Sequence, residues 1–484
     1  MNERSSVAEL AASLRSELQR YSVGQRLPSS RELVRLHQVS PVTLSRAVAV
    51  LAAEGLVVSR PGAGVYRAEP GRPAAPAGDA SWQEVALSAD AGARGVGAAH
   101  VLAMLAVPPD DVIDLNGGYL HPSLQPEQAL AAALARAGRR PGAWGRPPVE
   151  GLPDLRAWFA DAVGGGRDAG HPLAASDVLV TAGGQGALTT ALRSLAAPGA
   201  PVLVESPTYP GALAVARAAG LRPVPVPVDA DGVRTDLLAD AFEATGARLF
   251  VCQPLFQNPT GAVLSAARRS EVLRIARAAG AFVVEDDFAR HLVHADAPAL
   301  PSTLAAQDPD GVVVHIRSLS KAASPSLRVG ALTARGPAWE RLRAAQVVDG
   351  FFVPRPLQEA ALELVAAPAW RAHLRRTALA LQQRRQLAAT ELLRLHDFLT
   401  LRHIPHGGYH LWLRLPDGSD PERIAADARR LGAAISPGRA YFPAEPPAPH
   451  LRLSYAAAPD LSRITDGIRL LGRACADSAT PQTP

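Results

Sequence analysis

The chain has 484 residues, 48% of them hydrophobic and 20% charged, with a formal net charge of +5. That composition excludes a disordered charged protein, and no apolar run reaches the roughly 20 residues that cross a bilayer. The N-terminus is polar and has no signal-peptide core, and the two cysteines, Cys252 and Cys475, give neither a disulfide framework nor metal-site spacing, so a cytoplasmic protein without a metal is expected.

Val7, Leu10, Leu14 and Leu18 recur at helical spacing and predict a helix over 5–21. A turn at residues 24–28 leads into Ser29-x-x-Glu32, a capping box that opens a second helix through His37. Ser40 is a good N-cap and Pro41 fits the first helical position, so a third helix runs to about Glu54 and stops at Gly55. Residues 56–59 and 65–67 read as two strands around Arg60-Pro61-Gly62-Ala63-Gly64. Three helices and a hairpin make a winged helix-turn-helix over 1–68, whose third helix enters the major groove and whose wing approaches the backbone or minor groove. This segment carries nine arginines and five glutamates, +4 of the total charge, as a nucleic-acid module on a near-neutral body would. Residues 69–99, rich in proline, glycine and alanine, read as a linker.

From about residue 100, apolar runs at 178–180, 202–204, 249–251, 282–284 and 312–314 alternate with helical stretches. They predict a parallel sheet buried on both faces in a large α/β domain over 100–345. Residues 346–475 read as a smaller α+β domain, with strands near 408–415 and 450–455, and residues 476–484 as a disordered tail.

Of the fifty basic residues one is a lysine, Lys321. Arginine serves wherever only charge is needed, whereas a buried lysine amine can lose its proton and form a Schiff base. Lys321 ends Ser318-Leu319-Ser320-Lys321, just after a strand, with Arg328 seven residues on. Hydroxyls and a guanidinium make a phosphate site, and a lysine beside one is what pyridoxal 5′-phosphate (PLP) needs. Residues 181–187 follow a strand and open a helix, so the N–H groups around Gly184 and Gln185 can cradle the same phosphate. Asp286 ends a strand and can partner the pyridine nitrogen, Asn258 offers an amide to the ring hydroxyl, and Tyr209 offers a ring to stack on the pyridine.

Two resemblances follow. Leu27-Pro28-Ser29-Ser30-Arg31-Glu32-Leu33, Val39-Ser40-x-x-Thr43, Glu54-Gly55-Leu56 and the wing resemble the DNA-binding domain of GntR regulators, which implies DNA contacts at Arg31, Ser40, Thr43, Arg46, Arg60 and Gly62. Pro41 stands where that family usually has arginine. Residues 100–475 resemble fold-type I aminotransferases of the kynurenine and aminoadipate kind. The resemblance implies the Schiff base on Lys321, phosphate contacts at Gly184, Gln185, Ser318, Ser320 and Arg328, and a substrate carboxylate on Arg452. The fusion resembles the MocR branch of GntR regulators. A homodimeric, nucleoid-associated, PLP-dependent transcription regulator is the expectation. It would bind operator DNA and sense PLP or an amino acid or amine; a working aminotransferase with an accessory DNA-binding domain is the alternative. Two departures bear on that choice. Phe288 replaces a tyrosine whose hydroxyl bonds the cofactor's ring oxygen, and Trp144 replaces one that reaches a partner's phosphate.

Overall fold

The computed structural model describes residues 3–60, 64–68, 82–83, 86–87, 97–164 and 172–479. These fall into two units, Met1–Gly95 and Val96–Pro484.

In the first unit the expected helices form as α1 (Glu3–Glu17), α2 (Ser30–His37) and α3 (Pro41–Ala53), with a 3-10 turn, Leu18–Arg20, finishing the first. The helices bury one stripe each: Leu10, Leu14 and Leu18 meet Leu33, Leu44, Ala47 and Leu51. Ser29 and Glu32 form the reciprocal capping box, and the Ser40 hydroxyl accepts the Thr43 N–H at 3.0 Å to start α3. Strands β1 (Val57–Arg60) and β2 (Gly64–Arg67) pair antiparallel, with Arg60 opposite Gly64. The wing tip, residues 61–63 with Gly62, lies outside the described residues, as does most of the expected linker, residues 69–81, 84–85 and 88–96.

The second unit opens with a helix, Ala99–Leu105, and strand β3 (Ile113–Asp114). Its main sheet contains β4 (Val178–Thr181), β5 (Pro201–Ser206), β6 (Arg222–Asp229), β7 (Gly232–Val233), β8 (Leu249–Cys252), β9 (Phe282–Asp286), β10 (Val313–Ser318) and β11 (Gly330–Thr333). The order across the sheet is β4-β11-β10-β9-β8-β5-β6-β7. Alternate residues feed opposite faces: Val204, Val251, Val284 and Val314 join one buried cluster, and Leu203, Phe250, Val283 and Val313 the other.

The sheet departs from the all-parallel expectation at two strands: β7 runs antiparallel to β6, and β11 runs antiparallel to both β10 and β4. A turn through Arg328 brings β11 straight back beside β10, so no crossover helix intervenes. Strand β6 has proline at 223, 225 and 227, yet it pairs with β5 along its length and meets β7 only at Val228 and Asp229. Proline is tolerated there because that stretch is an edge, where a missing N–H breaks no ladder.

The smaller sheet orders β12 (Thr400–Leu401), β13 (His410–Arg414), β16 (His450–Ser454) and β15 (Ser436–Pro437), all antiparallel. Strand β14 (Ala433–Ala434) pairs in parallel with β3, so residues 113–114 are bonded to the C-terminal region rather than to the large sheet. The last helix, Leu461–Ala479, takes in residues 476–479 that were expected in the tail. Ile464, Ile468, Leu471, Ala474 and Cys475 keep its apolar stripe buried nearly to the end. Both cysteines are buried and free. Among the described residues no helix is long and apolar enough to cross a membrane.

Candidate functional site

Parallel strands place their loops on one side, and here the chemistry gathers beyond their C-terminal ends. Strand β4 leads into helix Gly183–Leu195, putting Gly184 and Gln185 in its first turn. Gly183 has φ +75°, and a Cβ there would stand 3.0 Å from the Arg328 guanidinium, so glycine is needed for both the turn and the close approach. Tyr209 caps the helix after β5, Asn258 follows β8, Asp286 ends β9, and Ser318, Ser320 and Lys321 follow one another at the end of β10. All nine expected cofactor residues line a single cavity.

Within it, the Ser318 hydroxyl donates to the Ser320 hydroxyl at 3.1 Å, and Arg328 Nη2 donates to the Ala182 carbonyl at 2.7 Å. These hydroxyls, this guanidinium and the helix N-terminus converge as an anion site. The Tyr209 hydroxyl donates to Gln185 Oε1 at 3.2 Å, which fixes the ring against the cavity. Lys321 Nζ donates to the Gly118 carbonyl at 2.6 Å and sits 3.9 Å from the centre of the Tyr119 ring. Burial pushes its amine down to about 8, with Arg452 adding to the fall and Tyr119 and Asp286 opposing it. An amine near that value is a usable nucleophile at neutral pH.

Burial raises the Asp286 carboxyl to about 6 even though Gln253 Nε2 donates to its Oδ2 at 2.7 Å. Its neighbour Asp287 lies in a different setting. Burial opposes its charge, but Arg317, Arg290 and His315 surround it and hold it well below the carboxylate range. Beneath the cavity, burial raises Glu205 to about 7, opposed by the Gln253 N–H at 3.0 Å and the Gln257 amide at 3.3 Å.

Arg452 comes from β16 of the smaller sheet and is buried. Its Nη2 donates to the Asn116 carbonyl at 2.6 Å, its Nη1 stands 3.5 Å from Asn258 Oδ1, and its guanidinium lies 5.5 Å from the Tyr441 ring centre. The two departures are also placed. Phe288 lines the cavity, edge-on to Tyr409 at 6.2 Å. Trp144 is 82% exposed and gives its indole N–H to the Gly138 carbonyl of its own chain.

Sequence reasoning missed Tyr119, Leu188, Gln253 and Tyr409, which complete the lining. A signal existed for two of them: Gly-Gly-Tyr occurs at 117–119 and again at 407–409. Gln253 gave none, because its role depends on the pairing of β8 with β9.

An amine, a buried carboxylate, an amide, an aromatic face and an anion seat in one cavity fit PLP. In the first unit Arg31 on α2 and Ser40 and Arg46 on α3 are exposed, and Thr43 is half-buried. Ser40 and Thr43 also bond one another at 2.8 Å as part of the cap. Arg60 ends β1, and its side chain, like Gly62, is outside the described residues.

Residues 110–469 match the model for aminotransferase class I and II, and residues 7–66 match that for bacterial regulatory proteins of the gntR family. The chain is 27% identical to the uncharacterized HTH-type transcriptional regulator YisV of Bacillus subtilis, over 91% of this chain and 90% of that one. It is 32% identical to the 2-aminoadipate transaminase of Thermus thermophilus, over 75% and 90%, and 31% identical to the HTH-type transcriptional regulator TauR of Rhodobacter capsulatus, over 62% and 60%. Among solved structures, LysN, the α-aminoadipate aminotransferase of Thermus thermophilus complexed with a phosphopyridoxyl-leucine, aligns with a TM-score of 0.72 at 29% identity, covering 82% of this chain and 98% of that one.

Proposed function

The chain belongs to the class I and II aminotransferase family and carries a GntR-type segment ahead of that domain, and from this premise we propose a PLP-dependent transcription regulator. The observation that carries the proposal is the presence, in one chain, of a helix-turn-helix with exposed Arg31 and Arg46 and of a cavity lined by Lys321 and the residues expected to hold the cofactor. When bound, PLP supplies an aldehyde carbon to amines and an electron-withdrawing ring.

The chain's own residues divide the work. Gly184, Gln185, Ser318, Ser320 and Arg328 hold the phosphate, and Tyr209 covers one ring face. Asp286 and Asn258 meet the ring nitrogen and ring hydroxyl, while Lys321 offers its amine. Arg452 takes the carboxylate of an amino-acid effector, because its planar fork matches two carboxylate oxygens. On DNA, Arg31, Arg46 and Arg60 meet phosphates or base edges, with Ser40, Thr43 and the wing at Gly62 beside them. The protein acts in the cytoplasm as a homodimer on operator DNA. An effector changes operator affinity only to the extent that it binds two arrangements of the dimer unequally.

The catalytic alternative is favoured by the 32% identity to the 2-aminoadipate transaminase of Thermus thermophilus. Phe288 weighs against it, since no hydroxyl stands at that position. One experiment separates the two. Operator fragments are selected from genomic DNA with the PLP-loaded protein, and their affinity is then measured with and without amino acids, alongside turnover with 2-oxo acids. Effector-dependent DNA binding with slow or absent turnover supports the regulator. Fast turnover without selective DNA binding would overturn it.

A further inference from the structure

The floor of the cavity is organised by one side chain that the family resemblance does not assign. Gln253 follows β8 directly, and because β8 pairs in parallel with β9 through Cys252 and Glu285, Gln253 stands level with Asp286. Its amide reaches both ways. Nε2 donates to Asp286 Oδ2 at 2.7 Å, while Oε1 accepts the Asn258 N–H at 3.0 Å. The orientation of the amide is fixed by its partners, since a backbone N–H can only donate and a carboxylate only accept. The backbone N–H of Gln253 is held in turn by Glu205 Oε2 at 3.0 Å. All four residues are buried.

We propose that Gln253 is a positioning residue that sets the spacing between the two polar contacts of the pyridine ring, Asp286 at the ring nitrogen and Asn258 at the ring hydroxyl. The inference rests on the PLP reading of the cavity. Without Gln253, Asp286 loses the donor that favours its charged form, and the segment through Asn258 loses its tie to the sheet. A carboxyl that takes up a proton no longer pairs with a protonated pyridine, so the loss falls on ligands that carry the ring nitrogen. Purely structural damage to the cavity would fall on every ligand of that shape.

The test uses the full chain stripped of cofactor and titrated with two probes. One is PLP. The other is its carbocyclic analogue, with C–H in place of the ring nitrogen, which offers Asp286 no proton. Binding is followed through the change in tryptophan fluorescence and the visible absorption that arises at Lys321. Gln253→Met keeps the length and removes both hydrogen bonds. The expected result is a fall of about tenfold in affinity for PLP, the scale of one hydrogen bond to a charged group, with less than about a threefold change for the analogue. If the methionine variant does not fold, Gln253→Asn, one methylene too short to reach both partners, is read in the same assay and should show the same selectivity. Equal losses for both probes, or no loss, would overturn the assignment of Gln253 while leaving the PLP site intact. A wild-type protein that binds neither probe would overturn the PLP reading itself, and this inference with it.

Discussion

The Arg452 guanidinium stands 3.5 Å from the side-chain oxygen of Asn258, across 194 positions of sequence. One residue belongs to the small C-terminal sheet and the other to a loop of the large sheet, so a carboxylate on Arg452 would lie beside the amide proposed for the cofactor ring. Replacing Arg452 by alanine should therefore leave PLP bound but abolish any change that an added amino acid makes in the visible spectrum and in operator affinity. An Arg452→Ala protein that still responds to amino acids in both measurements would remove the carboxylate role.

Lys321→Ala should eliminate the visible absorption of bound PLP while circular dichroism stays native. No second lysine exists to substitute for it. In the wild type, with an amine near 8, capture of PLP should accelerate as pH rises from 6 to about 8 and level off above it. Stopped-flow absorbance reads this directly, and a pH-independent rate would contradict it.

Asp286 carries a linked cost in the cofactor-free protein. Its carboxyl is raised from 3.8 to about 6, so the native state holds that proton more tightly than the unfolded chain. The contribution to stability is complete below the unfolded value and is lost as pH rises through about 6. Asp286→Asn should consequently stabilise cofactor-free protein at pH 7.5, by on the order of 2 kcal/mol, with the gain shrinking toward pH 5. The same variant should bind PLP more weakly. Thermal melting across pH, beside a PLP titration, tests both halves.

Both Arg31 and Ser40 are assigned to DNA, and Ser40 also caps α3, so their variants test the two roles apart. Arg31→Ala should weaken operator binding and flatten its salt dependence, since each phosphate contact contributes a log–log slope of about −0.9. Ser40→Ala removes the side chain that accepts the Thr43 N–H and should destabilise α3 by about 1 kcal/mol. A smaller change in salt slope is expected from that variant. Mobility shifts at several salt concentrations distinguish the two, and identical slopes for Arg31→Ala and wild type would remove Arg31 from the phosphate contacts.

The helical caps were legible in the sequence because they are local. Ser29 with Glu32, and Ser40 with Pro41, each declare a helix start within four residues. That the nine expected residues would share one cavity was legible because each sits in a short motif at a strand end and their order resembles that of fold-type I aminotransferases, and a sequence with one lysine leaves one candidate for the amine. What escaped notice depends on pairing between distant strands. The return of β11 against β10, the proline-laden β6 at a sheet edge and the Gln253 amide between two loops have no local pattern. The buried apolar stripe of the last helix ends at Cys475, and the helical backbone runs on to Ala479 without an apolar signal in the sequence to mark those last residues.

The pairing of β3 with β14 joins the start of the second unit to its C-terminal region. Ile113 and Asp114 are the first strand residues after the segment that leads from the DNA-binding unit, and they are clipped to Ala433 and Ala434. Two residues beyond Asp114, the Asn116 carbonyl receives Arg452 Nη2. A shift of the short β3–β14 pair would therefore reach, within two residues of backbone, the carbonyl that holds the guanidinium assigned to the effector.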